Sequence, residues 1–232
     1  YAWMHYIYGL LNQDDGVWYD AVIPNYYDPA DFIYQREKQD YLLYLGRIIW
    51  RKGVQVASDV AKATGNKLVV VGQGSLDNPR ERLALGAEKH IEYHPAVGPE
   101  ERSRLLGGAK AVLMPTFYLE PFGGVNVEAQ LCGTPVITSD WGAFPETVLH
   151  GVTGFRCRTF EEFCWAVKNI YRIKPENCRV WAEKNYSLER VGRMYETYFQ
   201  RLHHLFDQGW YQPNEERQEL EWLNRYYPVM MP

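Results

Sequence analysis

Glu120-Pro121-Phe122-Gly123-Gly124-Val125-Asn126-Val127-Glu128-Ala129 is the stretch that decides the fold. It follows Ala111-Val112-Leu113-Met114-Pro115, an apolar run that reads as a buried parallel strand. It leads into a short helix through Cys132, stopped by Gly133-Thr134-Pro135. Two carboxylates therefore flank a glycine turn at the carboxyl end of a strand. In an open α/β sheet ligands bind there, because strand ends and the next helix N-terminus leave a crevice lined with free N–H groups. The Phe-Gly-Gly turn lets a ligand approach the backbone closely, and unpaired amides of the first helical turn can meet an anion. An ionised carboxylate is a pure acceptor, so Glu120 and Glu128 can each take vicinal hydroxyls. An isolated pair of this kind would serve as well as a helix cap and a dipole partner, both in or before the first turn. The surrounding chain has to decide between these readings.

Outward from that stretch, short apolar strands alternate with amphipathic helices. Tyr41-Leu42-Leu43-Tyr44-Leu45-Gly46 reads as the first strand, and residues 53–64 follow with helical spacing at Val54, Val56, Ala57, Val60 and Ala61. Lys67-Leu68-Val69-Val70-Val71-Gly72 is a second strand and residues 79–86 a helix. His90-Ile91-Glu92-Tyr93 is a third strand, and residues 99–107 a helix opened by proline. Pro135-Val136-Ile137-Thr138 makes a fifth strand, and Gly151-Val152-Thr153-Gly154-Phe155 an edge strand. Such alternation means βαβ units and a doubly wound parallel sheet, an α/β fold. Helices are expected over residues 159–170, capped by Thr159, then 175–185, 187–206 and 213–227. Ahead of the sheet, residues 20–25 read as a short strand and residues 28–32 as a turn. Residues 1–11 are aromatic-rich without helix or strand period. The resulting division is a connector over 1–38, which could be the remnant of an upstream domain, a Rossmann-like domain over 39–206, and a helical extension over 207–232.

A chain of 232 residues can bury one sizeable α/β core with extensions but is short for two full domains. Hydrophobic residues at 46% and charged residues at 23% are ordinary for a globular protein and argue against disorder. A net charge of −4 leaves no electrostatic footprint for nucleic acid. No apolar run approaches the ~20 residues of a membrane span, and no signal peptide is visible. Cys132, Cys157, Cys164 and Cys178 have neither CxxC nor Cys/His ligand spacing, so they read as reduced core thiols of a cytoplasmic protein rather than metal ligands. The chain begins with Tyr1 rather than Met, which suggests that something upstream is missing.

The first strand ends in Gly46-Arg47-Ile48-Ile49-Trp50-Arg51-Lys52-Gly53. Arg47 leaves the strand end and Lys52 sits where the next helix begins, so a guanidinium fork and a point charge can converge on a phosphate group. Taken singly, each is as readily a solvated surface charge, the reading kept for Arg51. Gly72-Gln73-Gly74 follows the second strand without the third glycine of a dinucleotide fingerprint, so it supports at most a glycine turn beside a nucleotide.

From about Val22 to about Leu205 the chain resembles the nucleotide-binding half of retaining GT-B glycosyltransferases, family 4. The matching pieces are Ile23-Pro24-Asn25, Gly46-Arg47 with Lys52-Gly53, Gly72-x-Gly74, Glu120-Pro121-Phe122-Gly123 with Glu128-Ala129, Cys132-Gly133-Thr134-Pro135, Pro145-Glu146, and Gly151-x-Thr153-Gly154. The resemblance implies a transferase that moves a hexose from a nucleoside-diphosphate sugar. Arg47 and Lys52 would hold the diphosphate and stabilise the leaving group; Glu120 would bond sugar hydroxyls and Glu128 the ribose. Backbone amides from Phe122 through Gly123 and Gly124 to Val125 would meet sugar and phosphate oxygens, with Gly46, Gly72, Gly74 and Val97 around the nucleotide. In such enzymes the leaving phosphate takes the acceptor's proton, so neither a side-chain base nor a divalent metal or other cofactor is expected. Two departures bear on base selectivity: His94-Pro95-Ala96-Val97 stands where the family usually has glycine, and Ala143 replaces a glycine before Pro145-Glu146. The resemblance also implies an N-terminal domain that holds the acceptor, whether a sugar, lipid or polysaccharide; the expected localisation is the cytoplasm, with a peripheral place at the membrane as the second option. The alternative is a nucleotide-sugar binding module that acts with a partner chain.

Overall fold

Short apolar runs with polar helices between them are stable as a parallel sheet covered on both faces, since a helix hides each face of a strand whose residues point alternately up and down. The computed structural model describes residues 1–13 and 20–208, with side chains to residue 203. After α1 (Ala2–Leu11) and a connector come β1 (Tyr41–Leu45), α2 (Val54–Ala63) and β2 (Lys67–Val71). A hairpin follows, β3 (Asp77–Asn78) with β4 (Leu83–Ala84), then β5 (Ile91–His94), α3 (Pro99–Gly108), β6 (Ala111–Met114) and α4 (Gly124–Leu131). The rest is β7 (Val136–Ser139), α5 (Phe144–Thr147), β8 (Gly154–Cys157), α6 (Phe160–Asn169), α7 (Pro175–Tyr186) and α8 (Leu188–Gln208).

Six strands pair in parallel in the order β5-β2-β1-β6-β7-β8. The order runs outward from β1 to one side and then, from β6, to the other. Chain connections therefore diverge between β1 and β6, and a crevice opens there at the carboxyl ends. Leu42, Tyr44, Leu68, Val70 and Leu113 pack against Val54 and Val60 of α2 and Phe163 and Val167 of α6. The alternate residues Leu43, Leu45, Val69, Val71 and Val112 pack against Leu105 and Leu106 of α3 and Ala129 of α4. Each fully buried leucine contributes roughly 1.5–3 kcal/mol, so the two layers dominate stability.

Two cations tie the connector to this core. Arg179 donates to the carbonyls of Leu131 at 2.6 Å, Phe32 at 3.1 Å and Pro29 at 3.1 Å. Lys38 donates to those of Gln35 at 2.7 Å and Gly107 at 2.8 Å and to Thr134 Oγ1 at 2.9 Å. Both place positive charge at helix carboxyl ends, where free carbonyls and the dipole favour it.

Three local expectations are corrected. Residues 1–11 contain α1: no residue of this helix is buried, so no apolar stripe marks its period, while the Glu146 carboxylate accepts the Ala2 amide at 2.9 Å and Asn12 closes it at φ 49°. Residues 20–25 join no ladder; Ala21, Val22 and Ile23 face Met194 and Tyr198 of α8 instead of a strand. Residues 79–86 form a 3-10 turn, Pro79–Glu81, and half of a hairpin, because Leu83 and Leu85 are buried with a period of two. The other sheet strands fall within a few residues of their expected positions, as do α2, α3 and α6. The helix expected over residues 213–227 lies outside the described residues.

Candidate functional site

The site is made where the chain leaves β1 and β6. After Leu45 the backbone turns out through Gly46 and Arg47, and Ile48 returns to the core and bridges to Gly74. A 3-10 turn, Trp50–Lys52, ends at Gly53, whose φ is 78°. A side chain there would put its Cβ 1.9 Å from the Pro115 carbonyl oxygen, so only glycine lets this loop rest on the end of β6. That contact delivers Lys52 to Glu120. Between the two loops lies an open-sided cavity of about 230 Å³, lined by Gly46, Arg47, Lys52, Glu120, Gly124 and Val125, with Thr116 in its wall.

Lys52 Nζ donates to Glu120 Oε2 at 2.6 Å and to Tyr118 Oη at 2.7 Å, and Tyr118 Oη donates to the same carboxylate oxygen at 2.8 Å. Glu120 is buried and Lys52 half-buried, their side chains 9% and 17% exposed. The Arg47 guanidinium has no protein partner among the described residues, and Arg51 stays exposed with its guanidinium 5.5 Å from the Tyr118 ring centre. Gly123, at φ 76°, starts α4 with no side-chain cap, and the amides of Gly124 and Val125 have no acceptor among the described residues. Two cations and an uncapped helix start thus face one cavity, a strong setting for an anion. The Thr116 hydroxyl is buried, with no partner among the described residues.

Glu128 lies in the second turn of α4, beyond the reach of a cap or first-turn dipole partner, which removes that reading for it. Arg102 of α3 donates from Nε to Glu128 Oε2 at 2.5 Å, and a second guanidinium nitrogen closes on the same oxygen. Burial raises the Glu128 carboxyl above its usual value, with the Arg102 charge opposing. Burial, with the Glu128 charge added, likewise raises the Tyr27 hydroxyl.

The remaining expected site residues sit further out. Gly72 and Gly74 pack against the backbones of Gly46 and Ile48, so they support the loop after β1 from behind. Phe122 turns away from the cavity, edge-on to Tyr186 at 5.7 Å. Val97 is half-buried against the α3 side of the sheet. Tyr118, Arg102 and Thr116 were not expected. Tyr118 is two residues from Glu120, but a loop gives no period to say where its side chain turns; Arg102 meets Glu128 only through the packing of α3 on α4.

Among the described residues no group of three or more His, Cys, Asp or Glu is placed to hold a metal ion, and no helix is long and apolar enough to cross a membrane. All four cysteines are free thiols; burial pushes Cys132 up to about 11 and Cys157 and Cys178 up to about 12, so these three are poor nucleophiles.

A parallel sheet whose order reverses at a switch point defines a doubly wound α/β domain of the Rossmann-like kind. The family model for glycosyl transferases group 1 matches residues 30–187, and the chain belongs to that family. It is 34% identical over 126 residues to glycogen synthase of Mycobacterium tuberculosis, covering 50% of this chain and 30% of that one. It is 31% identical over 137 residues to D-inositol 3-phosphate glycosyltransferase of an Arthrobacter species, covering 54% and 32%. The chain thus spans about a third of the length of these curated relatives. Among solved structures, AviGT4, a glycosyltransferase involved in avilamycin A biosynthesis, superposes with a TM-score of 0.68 at 26% identity, over 82% of this chain and 59% of that one. HepE of Anabaena, solved with UDP and glucose, has the same fold at a TM-score of 0.65 and 18% identity, over 78% and 57%.

Proposed function

We propose that this chain is the donor-binding domain of a retaining, family 4 type glycosyltransferase that moves a hexose from a nucleoside-diphosphate sugar to an acceptor. The observation that carries the reading is the convergence of Arg47, Lys52 and the uncapped start of α4 on one cavity that also holds Glu120. Diphosphate oxygens would take the free Arg47 fork, the Lys52 ammonium and the Gly124 and Val125 amides. Glu120 Oε1, which has no donor among the described residues, would accept sugar hydroxyls. Glu128 Oε1, which has no donor among the described residues, would accept the ribose hydroxyls, Arg102 holding the other oxygen.

Such a site works by electrostatics. As the bond between the sugar's anomeric carbon and the diphosphate breaks, negative charge grows on the leaving oxygen, where two fixed cations and helix amides stabilise it. The leaving phosphate then takes the proton of the acceptor hydroxyl, which bonds to the anomeric carbon from the same face. No metal or other cofactor is assigned a part. The cavity is open and small for a whole nucleotide sugar, which suits a donor half covered by a second domain, one that takes a sugar, lipid or polysaccharide acceptor. Residues 1–38 would then be the connector to that domain, 39–206 the donor domain proper, and 207–232 an extension. The four thiols suit the cytoplasm, with a peripheral place at the membrane for a lipid acceptor.

The test is calorimetric titration of the chain, without metal, with UDP, GDP and ADP and their glucose, mannose, galactose and N-acetylglucosamine conjugates. Selective binding of one base is expected. Glu128→Ala should weaken every ligand of that base, whereas Glu120→Ala should weaken only the sugar conjugates. Equal loss in both variants, or no binding by a folded sample, would sink the assignment.

A further inference from the structure

Tyr118 belongs to none of the motifs that carry the family resemblance, yet it sits between the two charged groups of the site. Lys52 Nζ, Tyr118 Oη and Glu120 Oε2 form a closed triangle with sides of 2.6, 2.7 and 2.8 Å. Both donors end on Oε2, and Oε1 is left without a protein donor among the described residues. The Tyr118 ring has a contact that does not depend on Lys52, the Arg51 guanidinium 5.5 Å from its centre. The Glu120 backbone is fixed as well, since its carbonyl accepts the Ala143 amide at 2.9 Å.

This triangle contains a conflict. Lys52 lines the cavity and its ammonium is the natural partner of an arriving diphosphate, but it is also the cation that holds Glu120. An ammonium drawn towards phosphate gives up part of its hold on the carboxylate. A glutamate on a loop, held by nothing else, would then turn about its side-chain torsions, and the ordering needed to meet sugar hydroxyls would be lost. Tyr118 carries no charge and so is not pulled to the phosphate with comparable force; its hydroxyl can stay on Oε2 while Lys52 moves.

We propose that Tyr118 is a positioning residue that keeps Glu120 Oε2 in place when Lys52 turns to the diphosphate, so that Oε1 remains aimed for the donor's sugar. The inference rests on the donor-binding reading and adds to it the group that lets diphosphate and sugar be held together.

The experiment compares wild type with Tyr118→Phe, which keeps the ring and its contact with Arg51 and removes the hydroxyl with its bonds to Lys52 and Glu120. Both are titrated with UDP, GDP and ADP and with the glucose and mannose conjugate of each, after a thermal melt shows that they unfold alike. Affinity for the bare nucleoside diphosphate should stay within about twofold of wild type. Affinity for the sugar conjugate relative to the diphosphate should fall by roughly tenfold, the scale of one hydrogen bond to a charged group. An unchanged ratio with binding intact overturns the role of Tyr118 and leaves the donor site standing. A parallel loss of both affinities also overturns it, since that would make Tyr118 a support for Lys52 alone. If wild type binds none of the probes, the donor reading and this inference fall together.

Discussion

Glu120 and Glu128 look alike in the sequence, two carboxylates on either side of one glycine turn, but the fold treats them differently. Glu120 is held between loops from opposite sides of the switch point, by a lysine and a tyrosine that are themselves in contact. Glu128 is held between two packed helices by a single arginine. The cation beside Glu120 is 17% exposed and the one beside Glu128 is 34% exposed. The carboxylates themselves are nearly equally buried, so the contrast lies in the partner: one is half of a closed ion pair and the other is clamped by a cation that reaches solvent. Both keep Oε1 free of donors among the described residues, yet removing a partner should cost them unequal amounts.

The largest effect is expected from Lys52→Ala. From charge pattern alone this change should cost ligand affinity and little stability. With Glu120 buried beside it, the variant leaves a carboxylate without its cation, and about 3 kcal/mol of folding stability should be lost in urea denaturation. That is the low end for a broken buried pair, because Tyr118 still donates. Adding Glu120→Gln should restore most of the loss. Stability equal to wild type would mean that the pair is idle and that the two carboxylates do not differ.

Arg102→Ala should cost less, about 1.5 kcal/mol, because solvent reaches Glu128 once the guanidinium is gone. In the same variant nucleoside diphosphate should bind more weakly, since Glu128 loses the contact that orients it. Denaturation and calorimetry on one preparation measure both. A stability loss as large as that of Lys52→Ala would erase the contrast between a closed pair and an edge clamp.

Much of the frame could be read directly. Four of the six parallel strands, β1, β2, β6 and β7, are short apolar runs; Gly46, Gly72 and Pro115 close the first three of these, Gly107-Gly108 and Gly133 end the helices that precede β6 and β7, and the alternation of strands with helices leaves few topologies. Arg47, Lys52, Glu120 and Glu128 stand out because they lie at the strand ends and helix starts where ligands bind. What could not be read depends on contacts between distant segments. α1 is apolar or aromatic on nearly every side, so its half-buried Met4, Ile7 and Tyr8 leave no contrast to show a period, and the Leu83-x-Leu85 alternation was masked by a proline that looked like a helix start. Tyr118 meets Lys52 across 66 positions of chain and Arg102 meets Glu128 across 26, distances set by layer packing and by no local rule.

The smallest effect is a dependence on pH that belongs to Glu128. Burial raises its carboxyl above the ordinary glutamate value of 4.5, and the Arg102 charge offsets only part of that shift. In the window just above 4.5 the folded chain therefore holds more protons at this position than the unfolded chain. Stability due to Glu128 must fall as pH rises through that window and stay level above it. Glu128→Gln carries no such proton. From about pH 4 to about pH 7, chemical denaturation of the two proteins should show wild type losing ground to the variant and then running parallel to it. The opposite trend, wild type gaining on Glu128→Gln as the carboxyl ionises, would mean that Arg102 outweighs burial. Glu128 would then be the half of a favourable ion pair that Glu120 is taken to be, and the difference between the two ends of the turn would lie in their ligands rather than in how the protein holds them.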